Sequence, residues 1–226
     1  MTLHPGAQTF HFHKVSGWQW VLDHLGWFWS LSLNHLLLAL VPVVIGMAVA
    51  LPLGVLAVRV SSTYGPLLAT TTVLYSLPSL AAFALLLPFT GLSNSTVIIP
   101  LSVYAATILV RSVADGLRSV PEEVRLAASA MGYGPLRRLA GVELPASLPV
   151  LVAGLRVATV ASISLVTVGA LVGKGGLGIL FTEGEQNDFL TEVVTGVVLV
   201  VLWALVFDIL IVAVGRALTP WARRGT

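Results

Sequence analysis

Apolar stretches at 31–58, 65–90, 96–114, 146–172 and 193–215 are separated by polar links. Each meets the roughly 20 residues that a helix rising 1.5 Å per residue needs to cross a bilayer core of about 30 Å. The runs are continuously apolar, whereas lipid-facing strands would alternate over about 10 residues, so the pattern predicts helices. The chain is therefore expected to be an all-α, polytopic membrane protein with about five transmembrane helices. Short links at 61–65 and 91–95 predict that the first three spans are antiparallel neighbours. The stretch 18–29 differs, with Trp18, Trp20, Trp27 and Trp29 around Asp23 and His24, and reads as a helix lying at the headgroup boundary. The expected division is an N-terminal segment at 1–30 carrying that interfacial helix, a transmembrane domain at 31–218, and a tail at 219–226.

Composition sharpens this picture. Apolar residues make up 57% of the chain and charged residues only 10%, against about 25% charged in a soluble domain, and the mean hydropathy is +0.96. Such a surface has too few charges to face water everywhere. Cysteine is absent, which excludes a disulfide scaffold, and a net charge of +2 gives no footprint for nucleic acid. The first 15 residues lack the apolar stretch and cleavage site of a secretory signal.

Arginine placement gives an expected orientation. Alternating five spans across the bilayer puts Arg59, Arg118, Arg125, Arg137, Arg138, Arg216, Arg223 and Arg224 on one side, and Lys14 and Lys174 on the other. By the positive-inside rule the N-terminus is outside and the C-terminus cytoplasmic. Arg111 and Arg156 lie within apolar spans and do not enter this count.

Two links are long, 115–145 on the cytoplasmic side and 173–192 on the outer side, and long links in compact chains concentrate function. In the first, Pro121 with Glu122 and Glu123 reads as a helix start. The helix runs through Met131, Gly132 and Gly134 stop it, and Pro135 starts another. Leu126 and Met131 are apolar knobs beside a small face of Ala127, Ala128 and Ala130, a pattern that serves a partner's groove or packing on its own protein.

The stretch LAASAMGYGPLRRLAGVELP at 126–145 resembles the cytoplasmic signature of ABC importer permeases: Glu-Ala-Ala, three residues, Gly, nine residues, Ile, any residue, Leu-Pro. Ala127, Ala128, Gly132, Leu144 and Pro145 match at that spacing, Val142 stands for Ile, and Leu126 replaces the signature Glu, with Glu122 and Glu123 upstream. The resemblance extends over about residues 30–220. SLPSLAAFALL (76–86), GLRVATV (154–160), GALVGKGGLG (169–178) and FDILIVAVGRALTPW (207–221) look like the osmoprotectant branch, which imports glycine betaine, choline, carnitine or proline betaine. It implies a MetI-like ABC importer permease fold in a bacterial or archaeal cytoplasmic membrane. The loop is then a coupling helix seated in a separate ATPase subunit, with Glu123, Leu126, Ala127, Ala128, Met131, Gly132, Tyr133, Leu144 and Pro145 as the coupling residues. Implied partners are ABC ATPase subunits, a second permease (a copy or a sister chain) and an extracytoplasmic substrate-binding protein. ATP and Mg bind to the ATPase. No cofactor is expected in this chain, which has no GxxxxGK[ST], and no enzymatic activity is expected of it.

Within the spans, Pro78 falls in the middle of the second and frees backbone groups that a water-lined path satisfies and lipid does not. Tyr75, Ser76, Pro78 and Ser79 are therefore candidates for the translocation pathway, with a tolerated kink filled by neighbouring helices as the alternative. Tyr75 stands out, since an aromatic face suits a quaternary ammonium. Counting 1.5 Å per residue, Asp208 lies roughly 12 Å from Arg216 and Arg156 roughly 10 Å from Pro149. An unpaired ion there is costly, so an Arg156 to Asp208 bridge between the fourth and fifth spans is expected, with snorkelling and water contact as the alternative.

Gly173, Gly175, Gly176 and Gly178 satisfy GxGxxG as a string. They follow a membrane span with no βαβ unit, so a glycine-rich turn is the simpler reading. The acidic run Glu183, Glu185, Asp188 and Glu192 is expected to face outside, as a solvated face or a landing site for a binding protein. His4, His11 and His13 have no accompanying ligand set, so no metal site is expected, and no nucleophile stands at a recognisable spacing from a base. The rival readings are an amino-acid or methionine ABC permease, a self-sufficient secondary transporter and a membrane-embedded enzyme.

Overall fold

A computed structural model of the chain describes residues 17–220. His4, His11, His13, Lys14, Arg223 and Arg224 lie outside them. The described residues contain no β-strand. The helices are α1 (Gly17–Asp23), α2 (Leu25–Arg59), α3 (Ser61–Tyr75), α4 (Ser79–Thr90), α5 (Ser95–Arg118), α6 (Glu122–Ala130), α7 (Pro135–Arg138), α8 (Leu144–Val166), α9 (Ile179–Gln186) and α10 (Leu190–Leu218). A π turn, Leu139–Glu143, joins α7 to α8, and two 3-10 turns, Thr167–Val172 and Gly176–Gly178, join α8 to α9.

The aromatic stretch is not one interfacial helix. It divides at His24, whose Nδ1 lies 2.8 Å from the Trp20 carbonyl, so Trp27 and Trp29 belong to the first long helix. Trp20 stacks on His24 at 4.8 Å and meets Phe28 and Phe189 edge-on, which docks α1 onto the start of α10.

Four segments are long and apolar enough to cross a membrane: α2, α5, Pro135–Val172 and α10. The expected continuous span at 65–90 is instead two helices bent by 84°. At about 22 and 18 Å neither crosses alone. Their ends decide how they count. The Arg118 guanidinium, at the end of α5, lies 3.3 Å from the centre of the Tyr64 ring at the start of α3, and the Tyr64 hydroxyl donates to Asp115 at 3.3 Å. The chain therefore leaves α2 and finishes α5 at the same end of the bundle. Since α5 runs about 36 Å between its ends, α3 and α4 together must make one bent crossing, and the bundle has five passes.

Helix α5 is the central post. It buries most of its apolar length, and α2, α3, α4 and α8 pack around it. It meets α2 through a ladder of small residues, Gly46, Ala50, Gly54 and Ala57, all buried. A Cβ at Gly46 would stand 2.7 Å from the Ala105 side chain, and one at Gly54 would stand 2.5 Å from Val113. Between apolar helices in lipid, such small residues let backbones approach and gain dispersion contacts. By contrast α10 leaves Val197, Val201, Leu205 and Ile209 exposed on its outer side.

The other end of the bundle is locked by a histidine. His35 on α2 is fully buried and accepts the Leu177 N–H at Nδ1 (3.2 Å), which leaves Nε2–H to donate to the Ile163 carbonyl on α8 at 3.0 Å. The glycine-rich stretch is thus tucked into the protein as a plug, with Gly175 to Gly178 buried. Gly176 is required twice over, by its φ of +51° and by the His35 backbone 2.7 Å from where a Cβ would sit. The acidic run is divided by the same packing: Glu183, Glu185 and Asp188 are exposed, but Glu192 is buried in the first turn of α10.

Replacing His35 with Leu strands a buried N–H and a buried carbonyl. It should cost about 2 kcal/mol or more, read as a lower thermal midpoint in detergent and faster hydrogen exchange at residues 175–178.

Candidate transport and coupling sites

The cytoplasmic-signature segment folds as its turn chemistry dictates. Pro121, expected as the first helical residue, sits instead at the N-cap of α6, and Glu122 and Glu123 occupy the first turn at the positive end of the helix. Met131 caps the other end, and Gly132 takes the left-handed φ of +83° that terminates a helix. Gly134 then precedes Pro135 at the start of α7. Leu126 and Met131 are 62% and 69% exposed, and Leu136 reaches 82%. Together they form an apolar, solvent-facing knob. The small face is split: Ala127 and Ala130 are exposed, while Ala128 is buried against its own chain and is closed to a partner. Leu144 and Pro145 are half-buried at the root of α8, and Tyr133 is half-buried beneath the Arg137 guanidinium, 4.7 Å from its ring centre.

The segment is fixed to the bundle through Glu143, which occupies the unspecified position of the signature. Its side chain is only 2% exposed. One carboxylate oxygen accepts from Arg59 at the end of α2 and the other from Arg138 on α7, both at 2.8 Å. Arg138 reaches on to the Ser129 hydroxyl of α6 at 2.7 Å. A single buried carboxylate therefore joins α2, α6, α7 and the root of α8. The π turn just before Pro145 belongs to the same corner, since proline has no N–H to return to the Gly141 carbonyl and the α ladder must widen there. Arg125 adds a further tie, donating to the Leu117 carbonyl of α5. Sequence reasoning missed Glu143; the available signal was a lone acid between an arginine-rich stretch and an apolar span.

Of the pathway candidates, Tyr75 lines a cavity and the others do not. The cavity holds about 570 Å³ and lies between α3, α5 and α8, walled by Thr72, Tyr75, Thr107, Arg111, Ser112, Gly154 and neighbours. Ser76 turns back to donate to the Val73 carbonyl at 2.7 Å, and Pro78 starts α4 as its N-cap. Ser79, half-buried, opens α4 outside the cavity wall. The Leu77 carbonyl freed by the break is taken by the Tyr104 hydroxyl of α5 at 2.8 Å, which satisfies the backbone where lipid would not. Tyr75 meets Tyr104 edge-on at 6.1 Å.

Arg156 and Asp208 meet in a two-pronged pair, Nε to Oδ1 at 2.7 Å and a terminal nitrogen to Oδ2 at 2.8 Å, tying α8 to α10. Among the described residues no group of three or more His, Cys, Asp or Glu side chains is arranged to hold a metal.

Comparison with known proteins identifies the class. The family described as "Binding-protein-dependent transport system inner membrane component" matches residues 42–224. The osmoprotectant import permease protein OsmW of Salmonella typhimurium is 32% identical over 206 residues, covering 89% of this chain and 96% of that protein. The choline transport system permease protein OpuBB of Bacillus subtilis is 31% identical, covering 83% and 86%. The glycine betaine/carnitine/choline transport system permease protein OpuCD of Bacillus subtilis is 32% identical, covering 88% and 91%. Inward-facing structures of the MetNI methionine ABC transporter superpose with TM-scores of 0.74 and 0.76 at 25% identity, covering 90% of this chain and 99% of theirs. The chain belongs to this family of inner membrane transport components. It is a multi-pass ABC importer permease that works with ATPase subunits, to which ATP hydrolysis belongs.

Glu143→Gln removes the charge that holds two arginines. It should cost about 3 kcal/mol, the low end for a buried pair because Arg59 keeps a third of its side chain exposed. In the assembled transporter, transport per ATP hydrolysed should fall more than ATP hydrolysis itself. Asp208→Asn leaves Arg156 with a neutral partner and should reduce assembly or transport; unchanged yield and uptake would remove the pair from any role.

Proposed function

We propose that the chain is the permease subunit of an importer for small osmoprotectants such as glycine betaine, choline or carnitine, and that its ATPase partner grips the exposed knob of α6. The observation that carries the coupling part is the combination of exposed Leu126, Met131 and Leu136 with the buried Glu143 junction behind them. A surface that is apolar outward and rigidly braced inward can transmit force. The substrate class rests on the names of the relatives OsmW, OpuBB and OpuCD. An amino-acid or methionine cargo is the second reading, favoured by the likeness to the methionine transporter.

The orientation follows from charge. Arg59, Arg118, Arg125, Arg137 and Arg138 gather at the end that carries α6, while the opposite end carries Lys174 with Glu183, Glu185 and Asp188. We assign the arginine-rich end to the cytoplasm, which puts the N-terminus outside and the C-terminus inside. A substrate-binding protein would dock at the acidic end, and a second permease, identical or a sister chain, would face the open cavity. ATP and Mg are bound by the ATPase and nothing is required of this chain as a cofactor site.

The test is reconstitution in liposomes with the ATPase and binding protein. ATP-dependent uptake of labelled betaine or choline is expected, with none from the chain alone; uptake by the lone chain would establish a secondary transporter. Because the chain has no cysteine, single cysteines at Met131 and Asp188 give a clean topology readout. Membrane-impermeant reagent added to intact cells should label the second and spare the first.

A further inference from the structure

Arg111 stands apart from every other charge in the spans. It lies seven residues, about 10 Å, inside the end of α5, and its guanidinium reaches Thr72, some 16 Å along α3 from Ser61. Counted along α5, that is about a third of a bilayer core of about 30 Å. Its one hydrogen bond there is to the neutral Thr72 hydroxyl, at 3.3 Å. Arg59, Arg138 and Arg156 are each ion-paired, whereas Arg111 has no carboxylate within pairing distance among the described residues. Asp115, one turn along α5, lines the same cavity and accepts from Tyr64, but it makes no ion pair with Arg111. An intramembrane cation without a counter-ion is expensive unless water or a ligand completes it, and its natural place is a functional cavity. Arg111 projects into such a cavity, of about 570 Å³.

The groups beside it suggest what completes it. Thr72 and Tyr75 are three residues apart and share one face of α3, so the ring of Tyr75 sits one helical turn from the hydroxyl that holds the guanidinium. Tyr75 is 51% exposed, and its ring is steadied by Tyr104. A fork of donors one turn from an open aromatic face matches a short zwitterion, with a carboxylate for the guanidinium and a quaternary ammonium for the ring.

We infer that Arg111 is the carboxylate receptor of the translocation cavity and Tyr75 its ammonium face, so that the permease itself favours carboxylate-bearing betaines over choline, which has no carboxylate. This rests on the osmoprotectant reading above. The guanidinium then has a directly paired carboxylate only while cargo is present, and a cargo without a carboxylate leaves it unpaired.

The test uses the complete transporter in liposomes, with glycine betaine, carnitine and choline each delivered by the same binding protein, so that any selectivity of that protein cancels between variants. Arg111→Gln should lower the betaine-to-choline and carnitine-to-choline uptake ratios by about tenfold or more. Arg111→Lys, which keeps the charge without the fork, should fall between. Tyr75→Leu should depress all three cargoes together and leave the ratios as they were. Ratios unchanged in Arg111→Gln, whether total uptake is kept or lost, overturn the inference while leaving the osmoprotectant reading intact. A wild-type transporter that carries none of the three overturns that reading, and this inference with it.

Discussion

The carboxylate of Glu143 is the point on which the α6 end of the molecule turns. Burying a carboxylate is unfavourable by several kcal/mol unless charge and hydrogen bonds surround it, and here both oxygens are taken by arginines from elements far apart in sequence. Removing any of the three charges leaves the others exposed to that cost, so the corner is held as a unit. The exposed apolar knob of α6 would be a poor handle without it. Alone, α6 is a helix of nine residues, too short to be stable in water by itself; braced by Arg138, Ser129 and Arg125, it moves with the roots of α2, α5 and α8.

The interior of the bundle obeys a different constraint. Lipid offers the backbone no hydrogen bonds, so each irregularity must be satisfied from within. The break between α3 and α4 is served by Tyr104 and the glycine-rich plug by His35, while the Ser162 hydroxyl of α8 donates to the Ala39 carbonyl of α2 at 2.7 Å. Each polar side chain comes from a neighbouring helix, so satisfying the backbone also fixes how the helices sit against one another.

The sequence made legible what depends on local pattern. Helix class, the five passes, the stop at Gly132 and the start near Pro121 follow from hydropathy and turn chemistry. The depth count that set Arg156 opposite Asp208 needed only helical rise, and the structure brings the two side chains together. What stayed hidden depends on contacts distant in sequence. The break at 76–78 is a bend of 84°, and the Tyr104 hydroxyl that satisfies its Leu77 carbonyl comes from a helix that the local sequence does not name. Nothing local marks Glu143 as a junction, because its partners lie 84 residues upstream and five residues upstream. The glycine string looked like a surface turn because nothing local announces that His35 will bind it. The small ladder from Gly46 to Ala57 was readable as spacing, yet its meaning required knowing that α5 lies opposite.

These elements also share a geometry that joins the two functional regions. Helix α8 starts at the Glu143 corner, and three turns later its Ala153, Gly154 and Val157 form one wall of the cavity that holds Arg111. The facing wall is α5, whose C-terminal end is tied to α6 through Arg125. A helix is stiff along its axis, and at Gly154 the two walls touch so closely that even a methyl group would collide with Ser112. Tilting α8 at its root must therefore either open that contact or carry α5 with it, and both change the width of the cavity. The Arg156 to Asp208 pair lies two residues beyond Gly154 on α8, so the same tilt loads α10, whose outer face is exposed. Motion imposed at the corner thus reaches the cavity through rigid elements already in contact, without any segment having to refold.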